Sequence, residues 1–374
     1  MKILVTGGAG FIGSHLVDGL LDDGHEVVVF DSLDEQVHGP SRRRPEYLDG
    51  EVKLVLGDVR DYDALERCVR GERPEVVFHE AAVVGVGQSM YEIRRYVEAN
   101  SLGTANLLDI LVSNHHALDR LIVASSMSIY GEGAYACPEH GVVHPRLRPE
   151  NQLAARQWEV RCPHCERELR DLPTSEEKPL LPTSVYATTK RDQEELVLEF
   201  GDAYEVPSVA LRYFNVYGSR QSVSNPYTGV AAIFASRLLN DRPPLVFEDG
   251  GQSRDFVHVS DIVRANLLAM HRPEAVGEVF NVGTGVPTSV LEVGETLARR
   301  LGRELEPEVV GKFRAGDIRH CYAATEKIRD RLGFEPQVTF EAGMDLLIDW
   351  LAEARAEDRG EQAMHELERR GLTR

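Results

Sequence analysis

Hydrophobic positions in this chain fall into short, nearly continuous apolar runs separated by longer segments with helical spacing. Lys2–Thr6, Glu26–Phe30, Val52–Leu56, Val76–His79 and Leu121–Ser125 are rich in β-branched residues and too short for helices. They predict strands buried on both faces. Between them, Ile12–Asp22, Tyr62–Val69 and Tyr91–Val112 carry apolar residues three and four apart and predict helices. This alternation predicts an α/β fold built on a Rossmann-type, doubly wound parallel sheet. The rhythm stops after Gly131. Residues 133–178 are rich in Pro, Arg, Glu and Cys, show little periodicity, and predict an irregular insertion. A helix at Val185–Phe200 and a strand at Ser208–Tyr213 resume the pattern, with further strands at Leu245–Phe247 and Glu278–Val282. Beyond Trp350 the chain is densely charged from Glu353 to Arg374, which predicts a solvated helix or a partly disordered tail.

Composition narrows the picture. The 374 residues are 42% hydrophobic, enough for one large domain or two coupled ones. The net charge of −19 disfavours nucleic acid and anionic membranes as partners, although local arginines can still reverse the field in a cleft. No apolar run approaches the ~20 residues that cross a bilayer. The opening Met1-Lys2-Ile3-Leu4-Val5 runs straight into glycines and reads as a first strand, not a signal peptide. An odd count of five cysteines fits a reducing compartment, so a cytoplasmic location is expected.

Gly7, Gly10 and Gly13 join the first predicted strand to the first predicted helix. Glycine there permits a tight turn, close approach of a pyrophosphate, and close strand–helix packing, and the helix N-terminus offers unpaired N–H groups. With Phe11 and Ile12 they make a dinucleotide-binding turn. Asp31 ends the second strand, where a carboxylate accepts from ribose hydroxyls and repels a 2′-phosphate. No arginine sits beside it in Ser32-Leu33-Asp34, so NAD is favoured over NADP. Asp58 and Val59 after the third strand, and Ala81 and Ala82 after the fourth, are weaker cofactor contacts, since Asp after Gly also makes ordinary turns.

Tyr186 and Lys190 are four apart and share a helix face. A phenol is a poor base at neutral pH, but a neighbouring ammonium and a positive nicotinamide ring stabilise its phenolate. Tyr186 then serves as acid and base. Ser126 supplies a hydroxyl between the tyrosine and a substrate oxygen. A bare Tyr-x-x-x-Lys pair is usually a surface feature; the glycine turn and the strand-end serines change that reading.

Together these motifs resemble the extended short-chain dehydrogenase/reductases of the nucleotide-sugar epimerase/dehydratase group, from Lys2 to about Leu351 apart from the insertion. Phe78-His79-Glu80-Ala81-Ala82 resembles the family's run after strand four, with Glu80 where an apolar residue is more usual. Asn100 matches an asparagine that fixes a helix near the active site and belongs to the cofactor set. Ser125-Ser126-Met127-Ser128-Ile129-Tyr130-Gly131 matches the serine motif, adding Ser125 to the cofactor residues and making Ser126 the catalytic serine.

Family members share a first step in which tyrosinate takes the C4 hydroxyl proton while C4 hydride passes to NAD. Family 4,6-dehydratases then use Asp-Glu directly after the catalytic Ser/Thr, and decarboxylases use a Glu at the second of those positions. Here the positions hold Met127 and Ser128, which favours simple 4-epimerisation through a 4-keto intermediate. Asn215 resembles the family asparagine at the substrate phosphates, Arg254 a pyrophosphate-binding arginine, and Arg314 with Asp317 a second arginine and a ribose-binding aspartate. Arginine suits a diphosphate because its planar fork makes paired bonds, although single arginines are also ordinary surface charges.

Residues 222–230, with 231–234, resemble dTDP-L-rhamnose 4-epimerases, which implies a dTDP-6-deoxyhexose such as dTDP-L-rhamnose. The alternatives are a UDP-hexose or UDP-hexuronate 4-epimerase, a nucleotide-sugar dehydratase or reductase, and a silent NAD-binding sensor or scaffold. The resemblance implies a division into an NAD-binding domain (1–213 and 256–282), a smaller C-terminal nucleotide-sugar-binding domain (214–255 and 283–351) and a charged tail (352–374). It also implies a homodimer through helices near Tyr91–Val112 and Val185–Phe200.

One pattern lies outside that resemblance. Cys137-Pro-Glu-His140 and Cys162-Pro-His-Cys165 each place two residues between potential ligands, the spacing of a Cys₃His zinc site. Four protein ligands leave no open position, so such a zinc would be structural. Reduced, unliganded cysteines in a loop are the competing reading.

Overall fold

The structure is a computed structural model that describes residues 1–222, 224–225, 227–352 and 360–373. The predicted strands of the first half are present: β1 (Lys2–Thr6), β2 (Glu26–Asp31), β3 (Lys53–Leu56), β4 (Val76–His79) and β5 (Arg120–Ser126). Then come β6 (Ala134–Cys137), β7 (Gly141–Val143), β8 (Arg170–Leu172), β9 (Ser208–Tyr213), β10 (Asn215–Tyr217), β11 (Leu245–Val246) and β12 (Ser253–His258). The last are β13 (Val279–Val282), β14 (Pro287–Ser289), β15 (Glu308–Val309) and β16 (His320–Cys321). The helices that place the site are α1 (Phe11–Asp22), α2 (Gly103–Ser113), α3 (Val185–Tyr204), α4 (Val259–His271) and α5 (Gly360–Arg369).

Seven strands form one parallel sheet in the order β13-β9-β5-β4-β1-β2-β3. Side chains alternate across it. Ile3 and Val5 enter one core with Val29, Phe78 and Leu211, whereas Leu4 enters the opposite core with Val28, Val77 and Val123. All are essentially inaccessible to water, which is why these strands read as continuous apolar runs. Helix α1 lies close on α4, where a Cβ on Gly19 would come within 2.6 Å of Val263. A separate core beside the sheet gathers Tyr217, Phe234, Phe256, Val293, Leu297 and Leu347 from the second half.

Three sequence expectations change. The helix expected over Tyr91–Val112 is interrupted: Ile93–Tyr96 is followed by a wide π-helical turn at Val97–Leu102 before α2. Such wide turns occur mostly at functional sites, and this one carries the buried Asn100. The insertion is not irregular. Its β7-β6-β8 strands form a small antiparallel sheet, tied to the main body where Thr174 donates its N–H to the Tyr322 carbonyl (2.8 Å) and its carbonyl accepts from the Ala324 N–H (3.0 Å). Alternation there spans only three or four residues per strand, too few to show as a period.

The tail also departs from a solvated helix. Residues 353–359 lie outside the described residues, but α5 docks on the protein, with Ala363 and Leu367 buried and Arg370 stacked 4.2 Å from the Tyr91 ring. Among the described residues, no helix is long and apolar enough to cross a membrane.

Candidate active site

A cleft of about 670 Å³ opens at the carboxyl ends of the central strands, where the strand order reverses between β1 and β4. Open α/β sheets bind ligands at this switch point. Gly7, Gly10, Phe11, Ile12, Gly13, Asp31, Asp58, Val59, Ala81 and Ala82 line one end, and Asn215, Arg254, Arg314 and Asp317 line the other. Ser125, Ser126, Tyr186 and Lys190 lie in the same cleft. Of the segment 222–230, Ser222, Asn225, Tyr227, Thr228, Gly229 and Val230 line it, while Val223 and Pro226 fall outside the described residues.

The glycine turn passes a geometric test for a dinucleotide. Gly7 has φ +72°, and a Cβ there would meet the Ala81 N–H at 2.7 Å. A Cβ on Gly13 would meet the Gly7 carbonyl at 2.3 Å. These two glycines are needed by the protein itself. Gly10 differs: a Cβ would touch only the Gly7 oxygen, at 3.3 Å, and would otherwise project into open space. Helix α1 has no side-chain cap and no acidic residue in its first turn, so its free N–H groups and the Gly10 backbone are open to a phosphate.

Asp31 is buried, and its carboxylate accepts from the Ala9 N–H (3.0 Å) and the Leu33 N–H (2.8 Å). It therefore fixes the glycine turn as well as facing the cleft, and burial raises its pKa. The fold brings in an arginine that the sequence beside Asp31 does not offer: Arg42 donates to the Leu33 carbonyl at 3.3 Å.

Asn100 does not line the cleft. Its amide accepts from the Val83 N–H (2.7 Å) and donates to the Val83 carbonyl (3.0 Å) and to Thr189 Oγ1 (3.0 Å). It ties the loop after β4 to α3. Ser125 lines the cleft, but its hydroxyl donates to Glu194 (2.6 Å), which is itself paired with Arg212.

Helix α3 starts at Ser184, whose hydroxyl oxygen accepts from the Ala187 N–H (3.1 Å). This N-cap fixes the first turn, and with it Tyr186. Ser126 Oγ accepts from both the Ser128 N–H (3.2 Å) and the Ser128 hydroxyl (2.9 Å). Its own proton is left free for the cleft that Tyr186 also lines. Lys190 donates to the Ala124 carbonyl (2.6 Å) and to Gln193 Oε1 (2.8 Å). Burial pushes the Tyr186 phenol up to about 12, with the Ser126 hydroxyl acting against it. Burial also pushes Lys190 down to about 8, against the carboxylates of Glu80 and Glu194. In the protein alone, then, burial outweighs what holds the phenol down, and a cationic ring beside Tyr186 would act in the opposite direction.

At the far end, Arg314 Nε donates to Asp317 (2.8 Å) and its guanidinium stacks 4.5 Å from the Phe247 ring. Arg254 donates to the carbonyls of Ser253 (2.8 Å), Ile318 (2.7 Å) and Arg319 (2.9 Å). Asn215 Oδ1 is buried with no hydrogen-bond partner among the described residues, an acceptor left for a ligand.

Sequence reasoning noticed Glu80 only as a departure from a pattern. It lines the cleft, accepts from the Tyr213 hydroxyl (2.8 Å), and is pushed up to about 7 by burial. The signal was present, a charge directly after the apolar run of β4. The cleft's contribution from α5, through Ala363, Met364 and Leu367, left only a weak apolar spacing inside a charged tail.

Comparisons with known proteins agree with this geometry. Residues 3–155 match the model of the NAD dependent epimerase/dehydratase family, and residues 168–347 match that of GDP-mannose 4,6 dehydratase. The chain is 37% identical to a dTDP-L-rhamnose 4-epimerase of Burkholderia thailandensis, over 94% of this chain and 95% of the relative. Among solved structures it resembles the UDP-glucose 4-epimerase of Thermotoga maritima with UDP-glucose (TM-score 0.76, 32% identity, 94% and 99% of the two chains). It also resembles the UDP-glucose 4-epimerase of Thermus thermophilus in complex with NAD (TM-score 0.74, 33% identity, 95% and 100%).

Proposed function

The chain belongs to the NAD dependent epimerase/dehydratase family, and from that premise we propose that it inverts C4 of a nucleotide-diphosphate sugar, with a dTDP-6-deoxyhexose such as dTDP-L-rhamnose as substrate. The observation that carries the reaction type is that Ser126, Tyr186 and Lys190 line one cleft, where Met127 and Ser128 occupy the two positions after the serine. Neither side chain can move the protons that loss of water from the sugar would require. The match of the second half to a dehydratase model does not include these positions.

NAD is held by the Gly7–Gly13 turn, Asp31 and the backbone near Ala81. When bound, the nicotinamide accepts the C4 hydride and returns it. The chain's own residues handle the proton: Ser126 orients the C4 hydroxyl toward Tyr186 Oη, Tyr186 takes and returns the proton, and Lys190 keeps positive charge beside the phenolate. Aligning the reacting carbons can contribute roughly 7–11 kcal/mol. The sugar must turn over between the two half-reactions, so its binding energy belongs on the diphosphate, at Arg254, Arg314 and Asn215. A uridine-linked sugar is the second reading, favoured by the likeness to UDP-glucose 4-epimerases.

The division into cofactor and sugar domains is kept as the working organisation. A homodimer through the helices over 91–113 and α3 is supported by the exposed apolar side chains of Ile93, Val97, Leu102 and Leu196 on those elements. The Cys/His cluster is read as holding a structural zinc.

The test is incubation with dTDP-, UDP- and GDP-sugars, following C4 configuration by NMR. C4 inversion without added NAD is expected. Loss of water or net NADH would replace the reading with a dehydratase or reductase, and silence on the whole panel would favour a sensor.

A further inference from the structure

Cys137 and His140 lie on the β6–β7 turn, and Cys162 and Cys165 on a second turn closed by the antiparallel pairing of Arg161 with Glu168. The fold brings all four ligand atoms within 4.8 Å of one another. Cys137 Sγ is 3.7 Å from Cys165 Sγ and 3.4 Å from His140 Nδ1, and Cys162 Sγ is 3.6 Å from His140 Nδ1. A tetrahedral zinc with Zn–S of ~2.3 Å and Zn–N of ~2.0–2.1 Å requires edges of roughly 3.8 Å between sulfurs and about 3.6 Å between sulfur and nitrogen. The separations match those edges, and they are far from the ~2.05 Å of a disulfide.

The two turns are built alike. Each runs Cys-Pro-x-ligand and is followed by a residue with positive φ, Gly141 (+67°) and Glu166 (+59°). The local core is only Tyr135, Val143, Val160 and Leu169 with two of the cysteines, too little apolar area to order these turns unaided.

The insertion also reaches the cleft. Tyr135, two residues before Cys137, donates to Glu132 (2.9 Å) and accepts from the His320 N–H (3.2 Å). Both oxygens of Glu132 accept from the Arg319 N–H (2.9 Å each). Glu159, three residues before Cys162, accepts from the Arg319 guanidinium (3.0 Å) and pairs with His320 (3.1 Å). The carbonyls of Ile318 and Arg319 in this clamped segment are the ones that accept from Arg254.

We propose that Cys137, His140, Cys162 and Cys165 bind one structural zinc ion, and that this zinc site fixes the 318–320 segment on which the guanidinium of Arg254 is oriented toward a diphosphate. Arg319, Glu132 and Glu159 are positioning residues in this scheme. The role of Arg254 rests on the function proposed above; the metal site does not.

The experiment uses the full chain purified without a polyhistidine tag, with metals measured by plasma mass spectrometry and dTDP and UDP binding measured by calorimetry. About one zinc per chain is expected, falling below about a tenth in Cys162→Ser. Wild-type protein with less than about a tenth of an equivalent of zinc, or with iron in its place, overturns the metal assignment. Because Cys162→Ser can misfold, the link to Arg254 is read from Tyr135→Phe, which leaves all four ligands intact. That variant should keep its zinc and its bound NAD while binding the nucleoside diphosphate about fivefold more weakly. Unchanged binding in Tyr135→Phe overturns the link. If neither diphosphate binds the wild type, the substrate reading fails and the zinc content still decides the site.

Discussion

The Tyr213 hydroxyl donates a 2.8 Å hydrogen bond to the carboxylate of Glu80, whose charge acts on Lys190 across the cleft. Glu80 is pushed up to about 7 and Lys190 down to about 8, burial being the main cause for each. Glutamine at position 80 would still accept from Tyr213 but would carry no charge. Below about pH 7 the wild-type carboxyl is largely protonated, so wild type and Glu80→Gln should behave alike. Above it the wild type has a negative charge that helps Lys190 stay protonated. The variant should therefore lose activity at lower pH on the alkaline side, by about one unit. The check is a pH series of turnover for both proteins, and superimposed profiles above pH 7 would remove Glu80 from the proton-handling group.

Tyr186→Phe deletes the acid/base group and leaves the ring in place. Turnover should fall by ~10²–10⁴, while affinity for the nucleotide sugar changes little. Steady-state kinetics with calorimetric binding separates the two, and equal losses in both would count against the proposed role.

Arg254→Ala removes a guanidinium whose hydrogen bonds to backbone carbonyls hold it at the end of the cleft away from the glycine turn. Losing a charge-assisted contact worth ~1.5–3 kcal/mol should raise KM by roughly tenfold to a hundredfold, with a smaller effect on kcat. A fall in kcat at unchanged KM would place this arginine at the chemistry instead of the diphosphate.

Asp31→Ala leaves the Ala9 and Leu33 N–H groups without their acceptor. The protein should lose NAD on gel filtration and lose stability by about 1–3 kcal/mol. NAD content by absorbance and a denaturation midpoint give the result. Full NAD retention would show that Asp31 does not hold the cofactor.

Leu367→Asp puts a charge into the buried contact of α5, which borders the cleft beside Gly87. The seven-stranded sheet does not depend on this helix, so the thermal midpoint should move little while KM for the nucleotide sugar rises. Unaltered kinetics would mean that α5 merely rests on the surface.

The continuous apolar runs of β1, β2, β4 and β5 can be buried only in a two-sided parallel sheet, and glycine is required wherever two backbones approach as Gly7 and Ala81 do. Sheet, glycine turn and Tyr186–Lys190 pair were therefore legible from residue order, because local spacing alone imposes each. So was the Cys₃His set, as a pair of matched turns. Three other features depend on contacts between segments distant in sequence: Asn100 turned toward Thr189, Glu80 opposite Lys190, and an insertion clamped onto 318–320 beneath Arg254. Periodicity reports only which face of an element is buried. What that face meets, and how far a carboxylate's proton affinity moves as a result, is decided when the chain closes on itself.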